Sequence, residues 1–181
     1  MNSKKLFLLA VIFLALLVPI VLCGDFSSDN ARYLRIHIRA NSNESADQEV
    51  KYLVKSQVVS YLTPFLAQVR TKEEALSAVR QRLSGIEETC RKTLAENGYD
   101  YGVKASVTRE NFPSRSYGGR TLSAGVYDSL IIELGNAKGD NWWCVVYPPL
   151  CFIGKEDLNS QGFYYVSKLK EIIEKFYSSE K

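Results

Sequence analysis

The sequence predicts an α+β fold: a single domain with a mainly antiparallel sheet of about four strands and helices packed on it. The observations behind this are segments whose apolar residues alternate, segments with helical apolar stripes, and a chain of 181 residues that is 46% hydrophobic. That length is ample for one packed domain and short for two. The predicted order is β-α-α-β-β-β-α, preceded by an N-terminal hydrophobic helix. Because the last three strands follow one another closely, we expect them to be antiparallel neighbours.

The N-terminal segment predicts export. Lys4 and Lys5 precede an uninterrupted apolar run over residues 6–22, which is at the lower edge of the roughly 17–25 residues that span a bilayer. Residues 1–23 are therefore predicted to be a signal peptide or a membrane anchor. The charge asymmetry places the two lysines inside the cell and the folded part outside. Residues 24–31 are predicted to be a linker, and residues 32–178 the domain.

The first predicted strand covers residues 33–40, and its alternation predicts a half-buried strand with a basic outer face. A helix should follow, opened by a capping box between Ser45 and Gln48 and kinked or ended at Pro64. A second helix is predicted from Lys72 to Glu96. Thr71 should cap it, and the Asn-Gly pair at 97–98 should stop it. On the strand, Leu34, Ile36 and Ile38 are predicted inward, and Arg35, His37 and Arg39 outward.

The second half predicts strands over residues 101–108 and 126–134, a strand that begins at the Trp-Trp pair, and a last amphipathic helix after Gly162. Residues 111–125 are rich in glycine and serine and are predicted to be a long loop. A long loop inside a compact domain is more often functional than idle.

The Trp-Trp strand holds both tryptophans, and both of its faces are apolar, so we expect it to be buried or covered by a partner. Two prolines then end it. Cys144 and Cys151 stand symmetrically about the Tyr147–Pro148 bond, and a chain reversal there, for example at a cis bond, would bring their sulfurs together. A disulfide and two buried thiols both remain open. Trp142, Cys144 and Val146 are predicted on one face, and Trp143, Val145 and Tyr147 on the other.

Composition excludes several function classes. The formal net charge is +3; without Lys4 and Lys5, 21 basic residues face 20 acidic ones, which leaves +1 and predicts no nucleic-acid partner. His37 is the only histidine. No metal, nucleotide or flavin motif is present, so we predict no cofactor, no metal ligand and no catalytic residue. Asp47 and Lys51 share a helix face with Lys55, which is a solvated face by default.

Two motifs stand out: the opening run LRIHIRANSN at 34–43, with Asp47 and Lys51 after it, and the run NWWCVVYPPLCF at 141–152. They resemble motifs of the stage II sporulation protein R family, and the resemblance covers most of the domain in order. The polar members of the first motif are Arg35, His37, Asn41, Asn43, Asp47 and Lys51.

The resemblance implies a function. Such a protein is made in the forespore and exported across the forespore membrane into the space facing the mother cell, secreted or anchored in the membrane by its N-terminal segment. There it activates a membrane-embedded aspartic protease that processes the sigma-E precursor, by binding rather than by catalysis. The alternative is an exported thiol or hydrolytic enzyme using Cys144, Cys151 or His37. Candidate partner-binding residues are Arg115, Tyr117, Arg120, Trp142, Trp143, Tyr147, Pro148 and Pro149, since aromatic and arginine side chains concentrate at interface hot spots.

Overall fold

A computed structural model describes residues 29–117 and 120–148, together with Glu174 and Ser178. The predicted leader, Pro149, Cys151 and most of the predicted last helix lie outside the described residues. Within the described part, no helix has the length and apolar character needed to cross a membrane. The helices are α1 (Asp29–Arg32), α2 (Ser45–Leu66), α3 (Lys72–Arg80) and α4 (Leu83–Glu96). The strands are β1 (Leu34–Arg39), β2 (Val103–Phe112), β3 (Arg115–Tyr117), β4 (Arg120–Leu122), β5 (Gly125–Leu134) and β6 (Asn141–Tyr147).

Four strands form a mixed sheet in the order β2-β5-β1-β6. Strand β1 runs parallel to β5 and antiparallel to β6, and β2 is antiparallel to β5. The predicted α+β class is confirmed, and so is the pairing of β2 with β5. The expected pairing of β5 with β6 is wrong, because β1 lies between them. Five of the six residues of β1 are buried, so this strand needs neighbours on both edges and cover on both faces.

The helices cover one face of this sheet. Their apolar stripes pack against the inward residues of β1, β5 and β6 to form the main core. Hydrophobic burial of this kind is the main favourable contribution to folding. The main core includes Leu34, Ile36, Ile38, Val50, Val54, Val58, Leu62, Val79, Ile86, Leu94, Leu130, Ile132, Leu134 and Val146, all buried.

The opposite face of the sheet is also covered, which corrects the predicted basic outer face of β1. Arg35 is 0% exposed and His37 is 2% exposed. Much of the predicted loop over residues 111–125 is strand: it completes β2, forms the hairpin of β3 and β4, and begins β5. Tyr117 and Leu122 of this hairpin pack with the aromatic residues beside β1, so a polar strand face became an interior one.

The helix boundaries differ from prediction at two places. The single helix predicted from Lys72 to Glu96 is divided into α3 and α4, because Arg82 leaves the helical backbone at φ −115°, and its guanidinium carbon lies 3.7 Å from the centroid of the Phe65 ring. The capping box at Ser45 is also wrong: Glu44 is the N-cap residue, without a side-chain cap. The Thr71 cap on the backbone N–H of Glu74 is confirmed.

Of two other helix signals, one differs from the structure and one agrees with it. The predicted end at Pro64 is wrong, because helix α2 continues through Pro64 and ends two residues later, at Leu66. Gly98 follows α4 with a φ of +82°, a left-handed conformation that glycine adopts without strain.

The two predicted faces of β6 hold up to Val146. Leu34 pairs with Tyr147 whereas Arg35 pairs with Val145, so the register shifts by one residue, as at a β-bulge. The shift turns Tyr147 toward the helices, where its hydroxyl donates to the carbonyl oxygen of Arg70 at 2.5 Å. The predicted place of Tyr147 beside Trp143 and Val145 is therefore wrong.

Candidate functional site

A compact aromatic cluster with a buried cation lies on the sheet face opposite the helices. We call it the outer cluster. Successive residues of a strand point to opposite faces, so Arg35 and His37 of β1 enter this cluster while their neighbours enter the main core. The outer cluster consists of Tyr33, Arg35, His37, Phe112, Tyr117, Leu122, Tyr127, Trp143 and Val145.

Arg35 is the central cation of the outer cluster. Its guanidinium carbon lies 4.2 Å from the ring centroid of Phe112 and 4.9 Å from that of Tyr127, which is cation–π distance. Its Nη2 donates to the Tyr117 hydroxyl at 2.6 Å. Its Nε and Nη1 atoms are buried and have no hydrogen-bond partner among the described residues. A buried polar group without a partner costs free energy, so the position of Arg35 needs an explanation.

His37 lies next to Arg35 along the same face. Its ring stacks on the Trp143 ring, with centroids 3.7 Å apart and planes 18° apart. Its Nδ1 lies 2.9 Å from Glu110 Oε2. Nε2 is buried and lacks a partner within the part of the chain that the structure describes. Alternation along β1 predicted an outward position for His37 on a basic face, whereas the structure gives it a packed interior ring.

The acidic residues near this face are already engaged by Arg39. Its Nη1 donates to Glu133 Oε1 at 2.7 Å, and its Nη2 donates to Glu110 Oε1, whose other oxygen faces His37. Arg35 therefore remains a cation that forms no ion pair with a carboxylate of the described residues. Charge-assisted pairs stabilise the buried partners that they join, and Arg35 is without one.

The hairpin of β3 and β4 lies over the outer cluster. Its strands have three residues each and pair with each other in a sheet of their own. The Ser116 and Thr121 hydroxyls lie 2.7 Å apart across it. Arg115 and Ser116 are exposed, whereas Leu122 is buried. Ser116 and Thr121 therefore share the face turned away from the cluster, whereas Arg115 pairs with Leu122 and lies, exposed, on the same face as Leu122 and Tyr117.

The remaining polar residues of the first motif form a different assembly, which we call the loop network. Asp47 accepts hydrogen bonds from Asn41 Nδ2 at 2.8 Å, Ser42 Oγ at 2.6 Å and Tyr101 Oη at 3.2 Å. Burial raises the pKa of Asp47, but these hydrogen bonds outweigh it and leave that pKa below its ordinary value. The loop between β1 and α2, residues 40–44, which we call the first loop, is therefore fastened to the start of α2.

The loop network also joins the first loop to the turn between β5 and β6. Asn41 Oδ1 accepts from the backbone N–H of Asn136 at 2.9 Å, and Asn43 Oδ1 from that of Asp140 at 2.6 Å. Lys51 Nζ donates to the Asp140 carbonyl oxygen at 3.0 Å. Burial lowers the pKa of Lys51, while the Asp140 carboxylate opposes the shift. Asn41, Asn43, Asp47 and Lys51 thus hold two loops together.

The cysteines are placed in apolar surroundings. Cys144 belongs to the main core and is disulfide-bonded. Its pairing with Cys151, which the sequence left open, lies outside the described residues. The Tyr147–Pro148 bond is cis, one of the ways in which the chain could reverse between the two cysteines. Cys90 is a buried free thiol, and burial raises its pKa to about 12, which makes it a poor nucleophile. Cys144 faces the helices whereas His37 faces the outer cluster, so the structure does not bring these two together as a dyad.

The other predicted partner-binding residues differ in exposure. Trp142 and Trp143 are half-buried, and Lys55 Nζ lies 5.8 Å from the centroid of the Trp142 ring. Tyr147 and Pro148 are buried. The backbone of Arg120 begins β4. Arg115 is the candidate whose side chain is described as exposed.

Glu110, Phe112 and Tyr127 are parts of the site that the sequence did not predict. Glu110 and Phe112 belong to the end of β2: Glu110 follows the strand predicted over residues 101–108, and Phe112 lies in the loop predicted over residues 111–125. Tyr127 was predicted in a strand, without a role. The available signal was an aromatic residue at an otherwise polar position in each of two strands, Phe112 in β2 and Tyr127 in β5. Alternation within a single strand did not indicate that these two residues meet. No group of three potential metal ligands occurs among residues 29–117 and 120–148.

The described residues define an α+β domain on a mixed four-stranded sheet, with a helical layer on one face and a hairpin on the other. The chain matches the family described as Stage II sporulation protein R over residues 30–157 and belongs to that family, as the resemblance of its motifs predicted. It is 33% identical over 120 residues to the Stage II sporulation protein R of Bacillus subtilis (strain 168). That match covers 66% of this chain and 54% of the relative, so the chain spans about half of the relative's length. No solved structure matches the chain significantly.

Proposed function

We propose that this chain is an exported signalling protein of endospore formation. Its partner is a membrane-embedded aspartic protease that processes the sigma-E precursor, and it activates this protease by binding. Membership of the stage II sporulation protein R family is the observation that carries the proposal. The domain acts outside the forespore membrane, secreted or held by residues 1–23.

The exposed residues of the hairpin support the choice of contact surface. Arg115 and Ser116 of β3 are both exposed. Arginine is enriched at protein interfaces relative to the rest of the surface. We therefore assign the partner contact to the exposed part of the hairpin, together with Arg120, which begins β4.

Activation by binding requires only a difference in affinity. If the chain binds the active state of the protease about 3 kcal/mol more tightly than the inactive state, the ratio of active to inactive protease rises roughly a hundredfold. An interface of ordinary size, about 1,600 Å² in total, is sufficient for such a difference. No covalent change of the partner is needed.

The test is a titration of the full chain, purified in detergent, against the membrane protease and its precursor substrate. We expect processing to saturate near one activator per protease, because each activated protease must retain its activator. Full activation by trace amounts of the chain, with the protease left covalently altered, would contradict binding and favour an enzyme.

A variant pair locates the contact. Arg115→Ala should lower the activator's apparent affinity about tenfold, which corresponds to the loss of about 1.4 kcal/mol. The matched control is Arg91→Ala on α4, where the arginine is 46% exposed and pairs with Glu88 on the same helix. If the two variants activate equally well, the hairpin is not the contact surface.

A further inference from the structure

Arg35 is a fully buried arginine without a counter-ion in the described residues. A guanidinium carries five N–H donors and no acceptor, and one of its nitrogens donates here, to Tyr117. The aromatic rings of Phe112 and Tyr127 attract the cation, but they do not accept its remaining N–H groups as a carboxylate would. The empty donors define what would fit: a group with oxygen acceptors and a negative charge.

Tyr117 adds a second donor. Its hydroxyl accepts from Arg35 Nη2, so the hydroxyl proton is left for another acceptor, and none of the described residues takes it. Tyr117 belongs to β3 of the hairpin, and the donors of Arg35 and Tyr117 therefore meet at the boundary between the hairpin and the sheet.

We propose that Arg35 and Tyr117 form a binding site for a single carboxylate, supplied by an acidic side chain of a partner polypeptide that lifts the hairpin of β3 and β4. The choice of a polypeptide as the source rests on the proposed function, whereas the carboxylate site itself does not. The short strands of the hairpin pair with each other rather than with the four-stranded sheet. Opening must therefore break the hydrogen bond from Arg35 to Tyr117, and the bound carboxylate replaces it.

Charge matching favours a carboxylate over a free phosphate. Arg35 supplies one positive charge that no carboxylate of the described residues pairs with, and a monoanion neutralises it. A dianion would bring an extra negative charge toward Glu110, which already faces His37 and Arg39 on the same sheet face. Like charges repel more strongly in a buried site than in water.

The test uses the full chain, isotopically labelled and purified in detergent, with the Arg35 Nε–H resonance as the readout. The probes are sodium acetate, inorganic phosphate, and the blocked tripeptides Gly-Glu-Gly and Gly-Gln-Gly, at constant ionic strength. We expect the Glu tripeptide and acetate to shift the resonance with affinities on the order of millimolar. The Gln tripeptide should bind at least tenfold more weakly.

Variants connect the effect to the site. A Tyr117→Phe chain should bind the Glu tripeptide several-fold more weakly, because it loses one donor. In Arg35→Met, the Glu tripeptide should no longer shift the backbone resonances of the hairpin, whereas Arg109→Met, on an exposed arginine of β2, should bind like the parent chain. If Arg35→Met does not fold, the proposal is tested by the parent chain alone, through the difference in affinity between the Glu and Gln tripeptides.

Each other outcome overturns part of the proposal. Phosphate binding more tightly than the Glu tripeptide would identify a site for free anions and reject the polypeptide source. An unmoved Arg35 resonance with every probe would reject the site. The tripeptide titration contains no protease, so it tests the carboxylate site independently of the proposed function. A chain that binds the Glu tripeptide here but fails to activate the protease in the separate activation assay would refute the proposed function and leave the carboxylate site standing.

Discussion

The loop network and the outer cluster are both built around polar residues of the first motif, yet they differ in how those residues are satisfied. In the loop network, the Asp47 carboxylate accepts three side-chain hydrogen bonds, and Lys51 donates to a side chain and to a backbone oxygen. In the outer cluster, Arg35 is equally buried but keeps two nitrogen atoms without a partner among the described residues.

This difference in hydrogen bonding distinguishes Asp47 and Lys51, which stabilise the fold, from Arg35, which the fold does not require. Removing one partner from a satisfied buried network leaves another polar group unpaired, at a cost of about 1–3 kcal/mol. Removing an unsatisfied cation relieves a cost instead. Substitutions in the loop network should therefore act on stability, and substitutions of Arg35 should act on binding.

The largest expected effect is at Gly139, in the turn that the loop network holds. A Cβ added there would overlap the backbone carbonyl oxygen of Ser42, which cannot move without breaking the first loop. We expect Gly139→Ala to lower the free energy of unfolding by about 2–4 kcal/mol, measured by urea denaturation. The control is Gly102→Ala, where a Cβ would meet nothing within 4 Å. Equal stabilities for the two variants would show that the two loops do not pack as described.

Asp47→Asn should have the next largest effect. The added NH₂ group must face one of the three donors that Asp47 now accepts from, so we expect a loss of about 1–3 kcal/mol in the free energy of unfolding. Asp100→Asn, at an exposed carboxylate, is the control and should change little. A loss in the Asp100 variant as large as that in the Asp47 variant would contradict the special role of the network.

The pH dependence sharpens the same prediction. The folded pKa of Asp47 lies below its ordinary value of 3.8, so its stabilising contribution is complete above that pH. It is lost as the pH falls through the folded pKa, because the unfolded chain binds the proton first. The parent chain should lose stability below about pH 4 more steeply than Asp47→Asn does. Parallel acid unfolding curves for the two chains would contradict this.

The sequence could predict the core face but not the outer cluster, and the reason is distance along the chain. Alternation placed Leu34, Ile36 and Ile38 inward correctly, because period two within one strand is a local signal. The same rule placed Arg35 and His37 outward, since polar residues on a strand usually face water. The residues that bury them come from β2, β5, β6 and the hairpin, and nothing within β1 encodes those contacts.

The position of β1 between β5 and β6 could not be predicted from the sequence either. The close spacing of the last three strands favoured local pairing, but β5 pairs with β1 across a separation of more than ninety residues (Leu34 lies opposite Asp128). Residues 34–43 were recognised as one motif, whereas the structure assigns Arg35 to the outer cluster and Asn41 and Asn43 to the loop network. A motif in sequence is thus two sites in space.

Arg35→Met should have the smallest effect on folding. Methionine fills a similar volume among Phe112 and Tyr127 and carries no charge that must be desolvated. Although the substitution also removes the bond to Tyr117 and the cation–π contacts, we expect the free energy of unfolding to stay within about 1 kcal/mol of the parent value.

Activation of the protease by Arg35→Met should fall about tenfold or more, because the carboxylate site is gone. A loss of stability above about 2 kcal/mol would mean that Arg35 is a structural residue after all. Arg109→Met controls for the loss of an arginine from the same sheet, and it should leave both stability and activation unchanged. A binding residue is one whose substitution lowers activation but leaves the free energy of unfolding almost unchanged, as expected for Arg35. A folding residue is one whose substitution lowers both, as expected in the loop network.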